Sequence, residues 1–102
     1  MTQKGERVMT VSHSDGDRVF VFGEGVYVGN EPVGEEAAGV WAALARDAGA
    51  PNPKIELDCG KSVWGCECWW GPVEAAKSRF TGMEIVTIDI DEVRQRVNST
   101  GR

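Results

Sequence analysis

The stretch KSVWGCECWWGP, residues 61–72, holds three of the four tryptophans and two of the three cysteines of the chain. Such a cluster is typical of a buried strand, a metal site or a binding surface. Upstream of it, PNPKIELD (residues 51–58) has the alternation of a strand, and DCGK (residues 58–61) supplies turn residues. The order predicts a β-hairpin with Cys59 and Gly60 as its two central turn residues.

The predicted hairpin sets Asp58 opposite Lys61 and Ile55 opposite Trp64, and strand alternation then separates two faces. One face is apolar and is expected to lie in the core: Ile55, Leu57, Trp64, Cys66, Cys68 and Trp70. The other face is charged and carries one tryptophan: Lys54, Glu56, Asp58, Lys61, Glu67 and Trp69. The second face is therefore a candidate binding surface.

The remaining segments predict further strands and helices around this hairpin. RVFVF (residues 18–22) and VYVG (residues 26–29) flank the link GEG and predict a second hairpin. Residues 35–48 have the spacing of a helix, whose expected inward face is Ala37, Val40, Trp41, Leu44, Ala45 and Ala48. A short helix from Pro72, a strand within residues 83–90 and a last short helix follow.

The pattern of elements predicts an α+β fold. We expect a small, strongly curved antiparallel sheet or an SH3-like open barrel of about five strands, with two or three short helices. The domain is expected to span residues 18–97. Residues 1–17 have the polar composition of a flexible leader, and residues 98–102 form a polar tail.

Charge and hydropathy narrow the classes of function. The 102 residues carry a net charge of −5, which opposes binding to nucleic-acid phosphates and favours a basic or neutral partner. No apolar run is long enough for a bilayer, and no secretory signal begins the chain. We therefore expect a cytoplasmic protein with reduced thiols that binds neither nucleic acid nor membrane.

Catalytic and metal chemistry have weak support in the sequence. The chain has one histidine, which lies in the expected leader, so a His-assisted nucleophile is not expected and we predict no enzyme, no catalytic residues and no cofactor. Cys59, Cys66 and Cys68 with His13 could supply four zinc ligands, but their spacing does not form two short ligand pairs. Buried structural thiols are favoured for Cys66 and Cys68, and Cys59 is expected to be an exposed thiol at the turn tip. A zinc-stabilised structural module is the alternative.

Recognition is the function that the residues favour. Trp69 and Tyr27 are expected to form an amphipathic patch with Lys54, Lys61 and Glu67, because exposed aromatic side chains are enriched at interfaces. The alternative is that Trp69 is covered by the helix of residues 35–48 or by the C-terminal segment. These five residues are the candidate binding site of a non-catalytic binding module. A homodimer through the same patch is an alternative.

A small-ligand or nucleotide-binding protein is a further alternative. It would have to draw its positive charge from four side chains: Arg18, Lys54, Lys61 and Arg79.

VFGEGVYVG, PNPKIELD with the following GK, and VWGCECWWGP together resemble segments of small uncharacterised proteins encoded by bacteriophages and actinobacterial prophages. The resemblance covers about residues 18–72. It implies a phage or prophage accessory protein that binds a host component, and it carries no assigned chemistry.

Overall fold

A computed structural model describes residues 3–100, with the side chains of residues 98–100 left out of the description. The described chain contains six strands and three helices: β1 (Arg7–Asp15), β2 (Arg18–Pro32), α1 (Val40–Ala48), β3 (Pro51–Leu57), β4 (Ser62–Trp64), β5 (Trp69–Pro72), α2 (Val73–Arg79), β6 (Glu84–Thr87) and α3 (Ile90–Thr100). The predicted α+β fold, a small sheet with three short helices, is confirmed.

The strands form one open sheet in the order β4-β3-β2-β1-β5. All neighbours in this order are antiparallel, whereas β6 pairs in parallel with residues 18–21 of β2. Residues 25–32 of β2 pair with β3. Because β1 occupies the other edge of β2, β3 and β6 lie end to end along one edge of this long strand.

The chain connectivity requires the sheet to curl strongly. β4 and β5 stand at opposite ends of the five-strand order, and only residues 65–68 join them. In a flat sheet these strands would lie about 19 Å apart, and the link spans at most about 18 Å when fully extended. The link is instead a tight turn in which the Glu67 amide donates to the Trp64 carbonyl at 2.9 Å. The two edges therefore approach each other, as in an open barrel.

The predicted flexible leader is wrong for Arg7–Asp15, which forms β1. This strand lies between β2 and β5, and its buried residues are Val8, Met9, Thr10 and Val11. Its other half is exposed and polar, and this polar half dominates the average composition of residues 1–17. Residues 1–2 lie outside the described part of the chain.

The last helix continues into residues 98–100, which were predicted to follow it as a polar tail. These residues continue helix α3, which the structure follows to Thr100. Residues 101–102 lie outside the described part of the chain.

The predicted hairpin at GEG is also wrong, because β2 runs through it as one strand of 15 residues. Gly23 has a φ of 114° beside an irregularity in the β1–β2 pairing. A Cβ atom on Gly25 would overlap the backbone carbonyl of Glu56. These glycines therefore permit a bend and a close strand contact, and the turn from β1 into β2 lies instead at Gly16 and Asp17.

The β3–β4 hairpin exists, but its register differs from the prediction by one residue. Ile55 lies opposite Val63, and Gly60, with a φ of 94°, donates its amide to the Leu57 carbonyl at 2.9 Å. The loop thus contains three residues and ends in a left-handed glycine, a common hairpin geometry. A slip of one residue exchanges the two faces of a strand, so Trp64 lies on the opposite face from Ile55.

The apolar side chains form three clusters. The first lies on the side of α3 and contains Val8, Phe22, Ile55, Leu57, Val63 and Ile90. The second lies on the side of α2 and contains Met9, Val11, Val19, Val21 and Ala76. The third joins Trp64 to α1 and the segment before it through Val33, Ala37 and Ala42. The flipped Trp64 is therefore the platform on which α1 packs.

Candidate functional site

Helix α1 presents its largest apolar side chains to solvent. Val40, Trp41 and Leu44 are 65%, 69% and 53% exposed, whereas Ala42 is fully buried. The predicted inward face of this helix is therefore wrong for its three largest members. These three residues are called the α1 ridge below.

The inner side of α1 makes its contacts with the rest of the domain without the α1 ridge. Ala42 packs against Trp64, and Arg46 Nη1 donates to the carbonyls of Gly34 and Ala37, each at 2.9 Å. Gly49 ends the helix in the left-handed conformation, with its amide on the Arg46 carbonyl at 3.1 Å. Small alanines permit this close packing, and the large side chains consequently point outward.

Acidic side chains accompany the α1 ridge. The segment 35–48 carries three exposed carboxylates, Glu35, Glu36 and Asp47. Its one cation, Arg46, is engaged by two backbone carbonyls. Asp47 follows Leu44 by three residues and therefore lies beside it on the helix surface. One carboxylate, Asp47, thus lies beside the α1 ridge, whereas Glu35 and Glu36 lie in the segment that precedes the helix.

Glu67, a predicted binding residue, is a buried structural group. Its carboxylate pairs with Arg94 at 2.8 Å, and the two side chains are 6% and 9% exposed. It also accepts the amides of Ala38 at 3.3 Å and Trp64 at 3.2 Å. Burial lowers the pKa of Arg94, but the hydrogen bonds and attraction to Glu67 outweigh burial and raise it above its usual value. Glu67 therefore joins the β4–β5 turn to α3 and cannot meet a partner.

The aromatic members of the predicted site lie apart. Tyr27 is half-buried and stacks on Trp70 at 5.2 Å, with its hydroxyl donating to Asn30 at 2.7 Å. Trp69 is 40% exposed and meets Phe80 edge-on at 5.9 Å. Phe80 belongs to the α2 cluster, whereas Trp70 belongs to the α3 cluster.

The predicted lysines are also separated and are neutralised. Lys54 pairs with Glu31 at 3.4 Å, with its Nζ 5.5 Å from the centre of the Trp64 ring. Lys61 pairs with Asp89 at 2.8 Å and Asp91 at 2.9 Å. These hydrogen bonds raise the pKa of Lys61 and lower that of Asp89. The structure thus does not bring the five predicted residues together as one patch.

The four candidate zinc ligands occupy different places. Cys59 is exposed at the β3–β4 loop, Cys66 packs in the Trp64 cluster, and Cys68 packs against the α3 cluster. His13 stacks on Phe20 at 4.7 Å on the β1–β2 hairpin. Within residues 3–100, no group of three or more His, Cys, Asp or Glu residues could hold a metal ion. The zinc alternative therefore has no support from the geometry.

Burial opposes thiolate formation at two cysteines. It is the main cause that raises the pKa of the Cys68 thiol to about 12, and it also raises that of Cys66. We expect a maleimide at pH 7.5 to modify Cys59 rapidly, Cys66 slowly and Cys68 only after unfolding, because the thiolate is the reactive form. Mass spectrometry of the time course with peptide mapping measures the order. Modification of Cys68 as fast as Cys59 in the native protein would contradict the placement of Cys68.

The sequence missed the α1 ridge because two faces of the same helix were available. The large residues recur at 40, 41 and 44, and alanines recur at 38, 42 and 45 with equally helical spacing. The signal that identifies the inner face is residue size, since closely packed helices favour alanine at the contact. The predicted face mixed the two sets.

Comparison of the chain with protein-family models, curated proteins and solved structures gives no match. Among the described helices, none combines the length and apolar character needed to cross a bilayer. The fold and the exposed side chains define an α+β domain with an apolar ridge on helix α1.

Proposed function

We propose that the protein is a non-catalytic binding module that engages another protein through the α1 ridge. The observation that carries this proposal is the exposure of Val40, Trp41 and Leu44, each above half, on a helix seated by other contacts. Contiguous exposed apolar side chains mark interaction surfaces, and tryptophan is the residue type most enriched among binding hot spots. A partner that covers Trp41 would bury apolar surface that remains exposed to solvent in the folded domain.

Charge indicates the chemistry of the partner. The chain carries a net charge of −5, and the exposed charges of segment 35–48 are carboxylates. A complementary partner has an apolar groove or helix face rimmed by lysine and arginine. An amphipathic helix packing against such a groove is a common mode of recognition.

The nucleotide-binding alternative has less support. Each cation considered for it is engaged: Arg18 with Asp15, Lys54 with Glu31, Lys61 with Asp89 and Asp91, and Arg79 over the Trp69 ring. A phosphate would have to compete with carboxylates at three of these four side chains. A protein partner at the α1 ridge requires no such exchange.

The cellular setting is part of the proposal. The resemblance to phage and prophage proteins suggests an accessory factor that acts in the bacterial cytoplasm. Its partner would then be a host protein with a basic, apolar surface.

Replacing Trp41 and Leu44 together by alanine is expected to weaken binding at the α1 ridge strongly while leaving stability within about 0.5 kcal/mol of wild type. The probe is a synthetic helical peptide with leucine on one face and lysine on the other. We expect W41A/L44A to raise the Kd of this peptide at least about 30-fold, which is the effect of losing a binding hot spot. Titration calorimetry measures the affinity. Ile85→Ala, which alters another exposed apolar side chain, is the matched control and should bind normally.

The peptide with glutamate in place of lysine tests the charge argument. Equal affinity for the two peptides would contradict the proposal that the partner is basic. A loss of affinity in Ile85→Ala as large as that in W41A/L44A would contradict the α1 ridge as the binding site. Sedimentation of the free protein tests a second copy as the occupant. If the wild-type protein is a dimer and W41A/L44A is a monomer, the α1 ridge binds a second copy of this chain instead of the proposed partner. A photo-crosslinker at residue 44 in the producing cells then identifies the natural partner.

A further inference from the structure

Strand β6 has one paired edge and one open edge. On the paired edge, the amides of Glu84 and Ile88 donate to backbone carbonyls of the neighbouring chain at β2, each at 2.8 Å. Because backbone groups alternate in direction along a strand, the N–H and C=O groups of Ile85 and Thr87 point away from β2. Within the part of the chain that the structure describes, no strand pairs with β6 on that side.

The open edge of β6 does not carry the devices that usually block pairing, which are lysine, proline and β-bulges. The strand reads EIVT, and its register with β2 is continuous. Three of its four residues are β-branched, as is typical of strands that pair. Ile85 and Thr87 are both exposed. Their outward backbone groups are therefore accessible to another strand.

The side chain of Ile85 lies at the open end of an apolar layer. Ile85 pairs with Val19, and Thr87 pairs with Val21, so these side chains share the face of the sheet on which α2 packs. Val19 is fully buried, whereas Ile85, on the outer strand, is 48% exposed. A strand added beside β6 would extend this layer and bury Ile85.

We propose that β6 pairs in antiparallel orientation with β6 of a second copy of this chain, about a two-fold axis at Val86. In this register Ile85 of each copy lies opposite Thr87 of the other, and the two residues exchange backbone hydrogen bonds. Glu84 lies opposite Ile88 of the other copy, so the two Glu84 carboxylates stand at opposite ends of the paired strands. Parallel pairing would set them side by side, which is destabilising. The strand is thus complementary to itself, as a two-fold interface requires.

Sedimentation equilibrium tests the dimer. Because the paired strands are short, we expect a weak association with a Kd on the order of 100 µM. Ile85→Lys places a charge at the centre of the interface and should raise this Kd at least about tenfold. Leu44→Lys adds the same charge on the α1 ridge and is the matched control, which should dimerise as wild type does. The α1 ridge is not used in this dimer and stays open to its proposed partner.

Amide resonances locate the interface. As the protein concentration rises, we expect the amides of Ile85 and Thr87 to shift and to exchange more slowly with solvent, whereas those of Glu84 and Ile88 are already bonded within the domain and change less. Thr87→Lys repeats the charge test at the second outward-facing residue.

Three outcomes would overturn the proposed dimer. The first is a wild-type protein that stays monomeric up to about 1 mM, tenfold above the expected Kd. The second is a dimer that Leu44→Lys dissociates or that both edge variants, I85K and T87K, leave intact. The third is a set of concentration-dependent shifts that does not include Ile85 and Thr87.

Discussion

Replacing Arg94 by methionine is expected to lower the free energy of unfolding by about 3–5 kcal/mol. Arg94 donates to both carboxylate oxygens of Glu67, at 2.8 and 2.9 Å, and to the Ser62 carbonyl at 2.8 Å. The variant leaves the Glu67 carboxylate buried without its counter-charge, and desolvation of an unpaired charge is the main loss. Urea denaturation at pH 7 measures the change. A domain of this size has a total stability of about 5–15 kcal/mol, so the loss is large.

Two further variants separate the charge from the packing. In R94M/E67Q no charge remains buried, so we expect part of the stability to return. Lys61→Met removes a cation from a pair whose side chains are 40% and 45% exposed, and exposed pairs contribute only about 0–1 kcal/mol. If R94M costs no more than K61M, the Arg94–Glu67 pair does not hold the turn and α3 together.

Replacing Val8 by aspartate is expected to cost about 4 kcal/mol or more and to leave much of the chain unfolded. Val8 is fully buried in the α3 cluster, in a strand that pairs with both β2 and β5. A carboxylate there would be buried without a partner. Circular dichroism during thermal unfolding measures the loss.

Ser14→Asp is the matched control for Val8→Asp. Ser14 is exposed on the same strand, so its replacement should change stability by less than about 0.5 kcal/mol. If residues 1–17 were a flexible leader, both variants would be harmless. Equal, small effects would therefore contradict the position of β1 in the sheet.

The elements of the second half of the chain could be predicted from local signals. Pro72 and Gly82 bracket α2, the alternating run in residues 83–90 contains β6, and Asp89 caps α3. These signals are local because turns and caps depend on neighbouring residues. The fold class and the approximate place of the β3–β4 hairpin followed from the same kind of information.

The candidate site could not be predicted in the same way. Glu67 seemed to be an exposed strand residue because the segment 61–70 alternates, whereas the chain turns at residues 65–68 and buries it against Arg94. Arg94 is 27 residues away in sequence. Its pairing depends on where α3 packs, which no pattern near Glu67 indicates.

The sequence by itself determined the fold class, the places of α2, β6 and α3, the approximate place of the β3–β4 hairpin, and that the domain is acidic. Only the tertiary structure decided which side of each element faces the core. A three-residue loop instead of a two-residue loop moved Trp64 to the other face of the sheet, and α1 then packed on it through alanines. The physical reason is that strand and helix periodicity specify alternative faces equally well, and long-range packing chooses between them. That choice exposed Val40, Trp41 and Leu44, the surface proposed for recognition.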